Sequence, residues 1–183
     1  MIGEYDFVDI TFTPEQCDEI VRMAAERHTG NRKGGYNHLP EWNNECKISD
    51  KAGAMRVDLM GVMGEAAFCV YMGLQFSYIQ TSLHGGDEGY DFVQNGRTID
   101  VKMTTKRGRN LIRPRFKGVD CADYYILCWP QAENGVSLVG AISGRRWLQE
   151  KVQMSGGWGD MVRWGGLKTM REFSDHLDIQ ARM

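Results

Sequence analysis

Apolar residues in this chain recur with two different periods, and the alternation between those periods outlines the fold. Residues 5–12 alternate apolar and polar as an edge strand does, and Thr13-Pro-Glu-Gln16 then reads as a capping box with proline at the first helical position. Cys17, Ile20, Val21, Ala24, Ala25 and His28 recur at helical spacing as far as Gly30, which predicts one face of a helix. Residues 30–48 are polar and rich in Gly and Asn, the composition of a long loop. Ser49 or Asp50 caps a second predicted helix, which ends at Gly73 after Met72. Met55, Leu59, Val62, Ala66, Cys69 and Val70 form its apolar face, with Asp58, Gly61, Glu65 and Met72 as the adjacent stripe. Gly61 and Gly64 each weaken that helix by nearly 1 kcal/mol relative to alanine, about the cost of letting the stripe approach another backbone closely.

Further along, the period shortens to two. A strand is predicted near Gln75–Gln80, and then two apolar-rich runs flank Asn95-Gly96. Asn-Gly between such runs is the strongest short-range signal for a hairpin. Residues 108–122 carry Pro114 and Gly118 and are expected to be irregular, whereas Asp123–Trp129 is continuously apolar, as in a strand buried on both faces. Val136–Ile142 repeats that character, Ser143 caps a short helix with Trp147 and Leu148, and residues 155–166 read as a Gly- and Trp-rich loop. Leu167, Met170, Phe173 and Leu177 predict a closing amphipathic helix.

The hairpin changes the picture from fold to chemistry. With a two-residue turn, Gln94 faces Arg97, Val93 faces Thr98, Phe92 faces Ile99 and Asp91 faces Asp100, while Lys102 shares the Asp100 face. Opposed residues hold their Cβ atoms about 5 Å apart. Two carboxylates at that separation repel by roughly 3 kcal/mol at an effective dielectric near 20. A raised pKa, a nearby cation or a bound metal must offset this. The plain alternative is a solvated hairpin face whose ion pair is worth under about 1 kcal/mol.

Composition adds little until its distribution is examined. The 183 residues are 42% hydrophobic and 25% charged with a formal net charge of −2, values that suit one globular domain and argue against disorder. Neutrality hides a cationic strip: Lys102, Lys106, Arg107, Arg109, Arg113, Arg115 and Lys117 follow one another with no acid between them. Five cysteines with no Cys-x-x-Cys indicate neither a disulfide framework nor a zinc ribbon and fit a reducing cytoplasm. No signal peptide is read at the N-terminus, and Leu59–Phe76 is too interrupted to span a membrane. The four histidines, His28, His38, His84 and His176, lack metal-ligand spacing and are expected to be structural or exposed. Asp58 is expected at the surface, Asp87 and Glu88 in a polar loop, and Trp158 and Trp164 in packing.

A helix with Glu65, a strand with Asp91 and a strand with Asp100-Val-Lys102, followed by two buried strands and a helix, resembles the PD-(D/E)XK nuclease superfamily. Restriction enzymes, Holliday-junction resolvases and phage recombination nucleases share that fold. Asp91 matches the first motif acid, Asp100-Val-Lys102 the (D/E)XK element, and Glu65 the helical glutamate, although Tyr90 stands where the motif proline is expected. The resemblance covers residues 50–150 and implies an α/β, restriction-endonuclease-like core: a mixed central β-sheet flanked by helices, with an N-terminal helical extension. One domain is expected, with residues 1–48 as the extension, 49–150 as the catalytic core and 151–183 as a C-terminal loop and helix.

The same resemblance implies a Mg²⁺-dependent DNA endonuclease, with Mn²⁺ as a substitute. Glu65, Asp91 and Asp100 would be its metal ligands, and Lys102 would join them in catalysis. Mg²⁺ prefers oxygen ligands and uses one or two protein carboxylates besides the phosphate. Thr104, Lys106, Arg107, Arg109, Arg113 and Arg115 are the expected nucleic-acid contacts, which set affinity and salt dependence without encoding sequence. Two alternatives stay open: a nuclease-fold module that binds nucleic acid or protein without cutting, and a structure-specific, junction-resolving nuclease. The latter requires a homodimer to cut two strands symmetrically.

Overall fold

The computed structural model describes residues 6–33, 51–79, 89–114, 122–132, 134–157 and 159–181. The chain starts with β1 (Val8–Thr11), α1 (Pro14–Lys33) and α2 (Lys51–Met72). The hairpin β2 (Phe92–Gln94) and β3 (Arg97–Met103) is followed by β4 (Leu111–Pro114), β5 (Tyr124–Pro130) and β6 (Gly135–Ser143). Then come α3 (Gly144–Glu150), β7 (Val152–Gln153), β8 (Gly159–Val162) and α4 (Met170–Ala181). The main sheet has the order β1-β6-β5-β3-β2, with β3 and β5 parallel and the other pairs antiparallel, so it is mixed as expected. A second, antiparallel sheet has the order β4-β8-β7.

Strand β5 shows why the sheet is double-sided. Ile126 and Cys128 join one core cluster with Phe68, Ile99, Val101, Phe173 and Leu177, beneath α2 and α4. Tyr125, Leu127 and Trp129 join another with Leu111, Trp147 and Val162, beneath the second sheet and α3. A strand covered on both faces has no polar side, hence its unbroken apolar run. For the same reason α2, pressed between α1 and the sheet, is apolar around much of its circumference.

The helix ends follow the capping signals. Gln16 N–H donates to Thr13 Oγ1 at 3.3 Å and Thr13 N–H to Gln16 Oε1 at 2.9 Å, a reciprocal capping box. Ser143 Oγ accepts from Arg146 N–H at 3.3 Å, and Thr169 and Glu172 make a second box at α4. Gly73 follows α2 with φ +67°, the left-handed turn that ends it.

Three expectations fail on tertiary grounds. Instead of a strand near Gln75–Gln80, Phe76–Tyr78 is a 3₁₀ turn in which Phe76 and Ile79 are buried and Tyr78 is exposed. Its burial repeats every three residues, not every two. Part of the irregular segment 108–122 is strand β4, and part of the Gly/Trp loop 155–166 is strand β8. They pair across a long stretch of chain, Leu111 opposite Val162, with β7 on the other side of β8. A Cβ at Gly159 would stand 3.1 Å from the Arg113 carbonyl oxygen, so the glycine that suggested a loop permits the pairing. Residues 1–48, read as an extension, contribute β1 to the edge of the main sheet and α1 to the face of α2. The loop at residues 34–50, His38, His84, Asp87, Glu88, Arg115, Lys117 and Trp158 lie outside the described residues. Among the described residues no helix is long and apolar enough to cross a membrane.

Candidate active site

Asn95 at φ 50° and Gly96 at φ 73° form the two-residue turn, and the register is the expected one: Gln94–Arg97, Val93–Thr98, Phe92–Ile99. Beyond Phe92 the ladder stops. Asp91 N–H still donates to the Ile99 carbonyl at 2.8 Å, but its carboxylate Oδ2 accepts from Val101 N–H at 2.7 Å. The side chain of Asp91 thus replaces a missing strand along the edge of β3. Simple cross-strand opposition of Asp91 and Asp100 gives way to this arrangement, because a strand that short cannot satisfy the β3 edge with backbone alone.

Ile99 and Val101 point into the cluster beneath α2, so alternation turns Asp100 and Lys102 to the opposite face, beside Tyr125 and Leu127. There Asp100 is 4% exposed and pairs with Lys102 Nζ. Glu65, on α2, turns its carboxylate to Arg27 of α1, and its charge acts on Asp91. Gly64 brings α2 onto the sheet: a Cβ there would stand 3.2 Å from Met103 Cβ and 3.5 Å from Val101 Cγ1. Gly64 lies outside the Asp58, Gly61 and Glu65 stripe, whose members meet the Arg27 and His28 side chains of α1 and not another backbone.

Charge converges on Asp91. Burial pushes the Asp91 carboxyl well above the ordinary aspartate range, and the negative charges of Glu65 and Asp100 push the same way. Lys102 and the Val101 N–H oppose them without prevailing. Cys69 and Cys128, buried under the same acids, have their thiols raised chiefly by burial and then by that charge, Cys69 to about 12.

Sequence reasoning missed two partners from α1. Arg27 donates Nη1 and Nη2 to Glu65 Oε1 and Oε2, each at 2.6 Å, with side chains only 13% and 6% exposed. Burial works to lower the arginine's pKa, yet the hydrogen bonds and charge of Glu65, with Asp91 and Asp58, leave it raised. About two turns before Glu65 on α2, Asp58 is buried and its Oδ2 lies 2.8 Å from His28 Nδ1, which corrects the expectation that Asp58 is a surface residue. A signal for both pairs existed in Asp58, Gly61 and Glu65, two acids with a gap between them on one helical stripe. A Cβ at Gly61 would stand 3.4 Å from Arg27 Nη1.

The cationic strip is divided by the structure. Lys106 and Arg107 are exposed, and Arg107 lies 5.8 Å and 6.0 Å from the ring centres of Phe7 and Trp129. Arg113, on β4, sits 5.8 Å over Tyr125, the β5 neighbour of Asp100, and so shares the face of Asp100 and Lys102. Arg109 contributes a backbone carbonyl to Trp129 Nε1–H at 2.7 Å. Thr104 Oγ1 donates to the Lys106 carbonyl at 2.8 Å, holding the strand exit locally. Of the other residues expected in packing, Trp164 makes edge contacts with Phe7 and Trp129, and His176 is exposed beside Tyr124.

Glu65, Asp91 and Asp100 offer oxygen donors only, the kind a hard divalent ion prefers, and two of them are already paired with Arg27 and Lys102. Asp91, held up by burial among acids, is the group such an ion would relieve. Among the described residues no three acids, histidines or cysteines are gathered at metal-holding separations. No protein-family model, no curated protein and no solved structure matches this chain.

Proposed function

We propose that this protein is a Mg²⁺-dependent DNA endonuclease of the PD-(D/E)XK, restriction-endonuclease-like class. The observation that carries the reading is the convergence of Asp91, Asp100 and Lys102 on the open edge of β3, with Glu65 close enough to raise the Asp91 pKa. Asp91 and Asp100 would hold the ion, with Glu65 as a further ligand. When bound, Mg²⁺ supplies Lewis acidity toward a phosphoryl oxygen and neutralises charge.

The chain's own groups would do the rest. Lys102, steadied by Asp100, presents an ammonium that positions the attacking water or stabilises charge developing on the phosphate. Arg113 and exposed Lys106 and Arg107 would attract and orient the backbone. The free thiols Cys17, Cys69 and Cys128 support a reducing, cytoplasmic setting. In the test, plasmid is incubated with Mg²⁺ and the variants Asp100→Asn and Lys102→Ala. Each should lower cleavage at least ~10³-fold, the scale of losing a group that acts in the transition state. Circular dichroism and DNA binding should stay near wild type. Full activity in both variants would overturn the reading.

A second reading is favoured by one observation, the tie of both Glu65 oxygens to Arg27. An acid neutralised internally fits a nuclease-fold module that grips nucleic acid without cutting it. Calorimetry separates the two: nucleic-acid affinity without any divalent-cation binding favours the binder.

A further inference from the structure

Beside the motif acids stands a guanidinium that the motif does not include. Arg27 enters from α1, 38 residues before Glu65, and meets it fork to fork with both nitrogens at 2.6 Å. Such bidentate pairs fix a carboxylate in plane and in rotamer, which a single-point ammonium does not. Gly61 lies beside the pair, where a Cβ would stand 3.4 Å from Arg27 Nη1 and 3.9 Å from Glu65 Oε1. The pair is nearly enclosed, so its charges act on their neighbours with little screening. Asp91 and Asp58 both lie within reach of the arginine's charge.

We propose that Arg27 is a positioning residue of this site, one that locks Glu65 in orientation and offsets the acid cluster, so that a divalent cation is held weakly until substrate phosphate is present. The inference rests on the nuclease reading above. A carboxylate has four lone-pair directions, and the fork uses two of them. Glu65 therefore remains able to take part while Arg27 holds it. A cation approaching Asp91 and Asp100 meets the guanidinium's positive charge, which the phosphate's negative charge would compensate on arrival.

Mn²⁺ titration by calorimetry without DNA is the primary test. Arg27→Gln, which deletes the charge, should bind Mn²⁺ at least fivefold more tightly than wild type. The double variant Arg27→Gln/Glu65→Gln, which also removes a proposed ligand, should bind Mn²⁺ at least fivefold more weakly than Arg27→Gln. Arg27→Lys keeps the charge and loses the fork: its Mn²⁺ affinity should stay near wild type, while kcat for DNA cleavage falls at least tenfold at unchanged KM. If Arg27→Gln does not fold, Arg27→Lys carries the test through its kcat at unchanged KM. A purely structural arginine predicts neither tighter ion binding nor this split. Wild-type binding with no gain in Arg27→Gln, or an unchanged kcat in Arg27→Lys, would overturn this proposal alone. Absence of Mn²⁺ binding in wild type would overturn it together with the nuclease reading.

Discussion

Asp91 bears the sharpest conflict between burial and charge. Its carboxyl is desolvated beside two other acids, and its folded pKa lies above its unfolded value. Such a group contributes fully below the unfolded pKa, near 4, and that contribution is lost as pH rises through the folded value. Ionised Asp91 is thus a liability at neutral pH in the absence of a divalent ion. Asp91→Asn should raise the melting temperature by several degrees at pH 7.5 in EDTA and leave it nearly unchanged at pH 4, measured by calorimetric or dye-based melting. A drop at pH 7.5 would contradict the assignment. Asp100 and Lys102 were legible because period-2 alternation after Asn95-Gly96 puts them on one face, whereas the placement of Asp91 beyond the end of the ladder was not. Arg27 was not, because a lone arginine on a helix carries no local mark of a partner 38 residues away.

Among the elements, α2 decides how the site is assembled. Its glycines cost helix propensity, and the structure shows what they permit: Gly64 lies against Met103 and Val101, and Gly61 beside Arg27. In Gly64→Ala a propensity gain of about 1 kcal/mol competes with overpacking worth about 1–3 kcal/mol, and the clash is with a Cβ that cannot swing aside. Overpacking should win, with a net loss of about 1–2 kcal/mol in urea unfolding. A stabilised variant would mean that helix and sheet part easily. The capping boxes at Thr13 and Thr169 and the Ser143 cap were readable, since each lies within one turn of its helix. Strands β4 and β8 were not, because each is short and they meet only across a long stretch of chain.

For the whole molecule, the distribution of charge outweighs its sum. A net charge of −2 coexists with Lys106 and Arg107 exposed near one end of the site and Arg113 over its face. Each phosphate contact contributes about 0.9 to the slope of log affinity against log salt. Lys106→Ala should therefore weaken DNA binding for all sequences alike and reduce that slope by about 1 in fluorescence anisotropy. An unaltered slope would remove Lys106 from the interface. The parallel β3–β5 pair is also a whole-molecule feature, since the chain between them leaves the main sheet to build β4 in the second one.

By itself the sequence determined what short-range geometry controls: the helix caps, the hairpin register, the buried central strand, and the spacing of two acids and a lysine around a tight turn. Tertiary structure alone decided which faces those side chains take, that Asp91 closes a strand edge with its carboxylate, and that Arg27 and His28 pair with Glu65 and Asp58. The physical reason is range. Caps and turns are satisfied within a few residues, whereas a buried charge is matched by whichever distant group the packing of helix on sheet delivers.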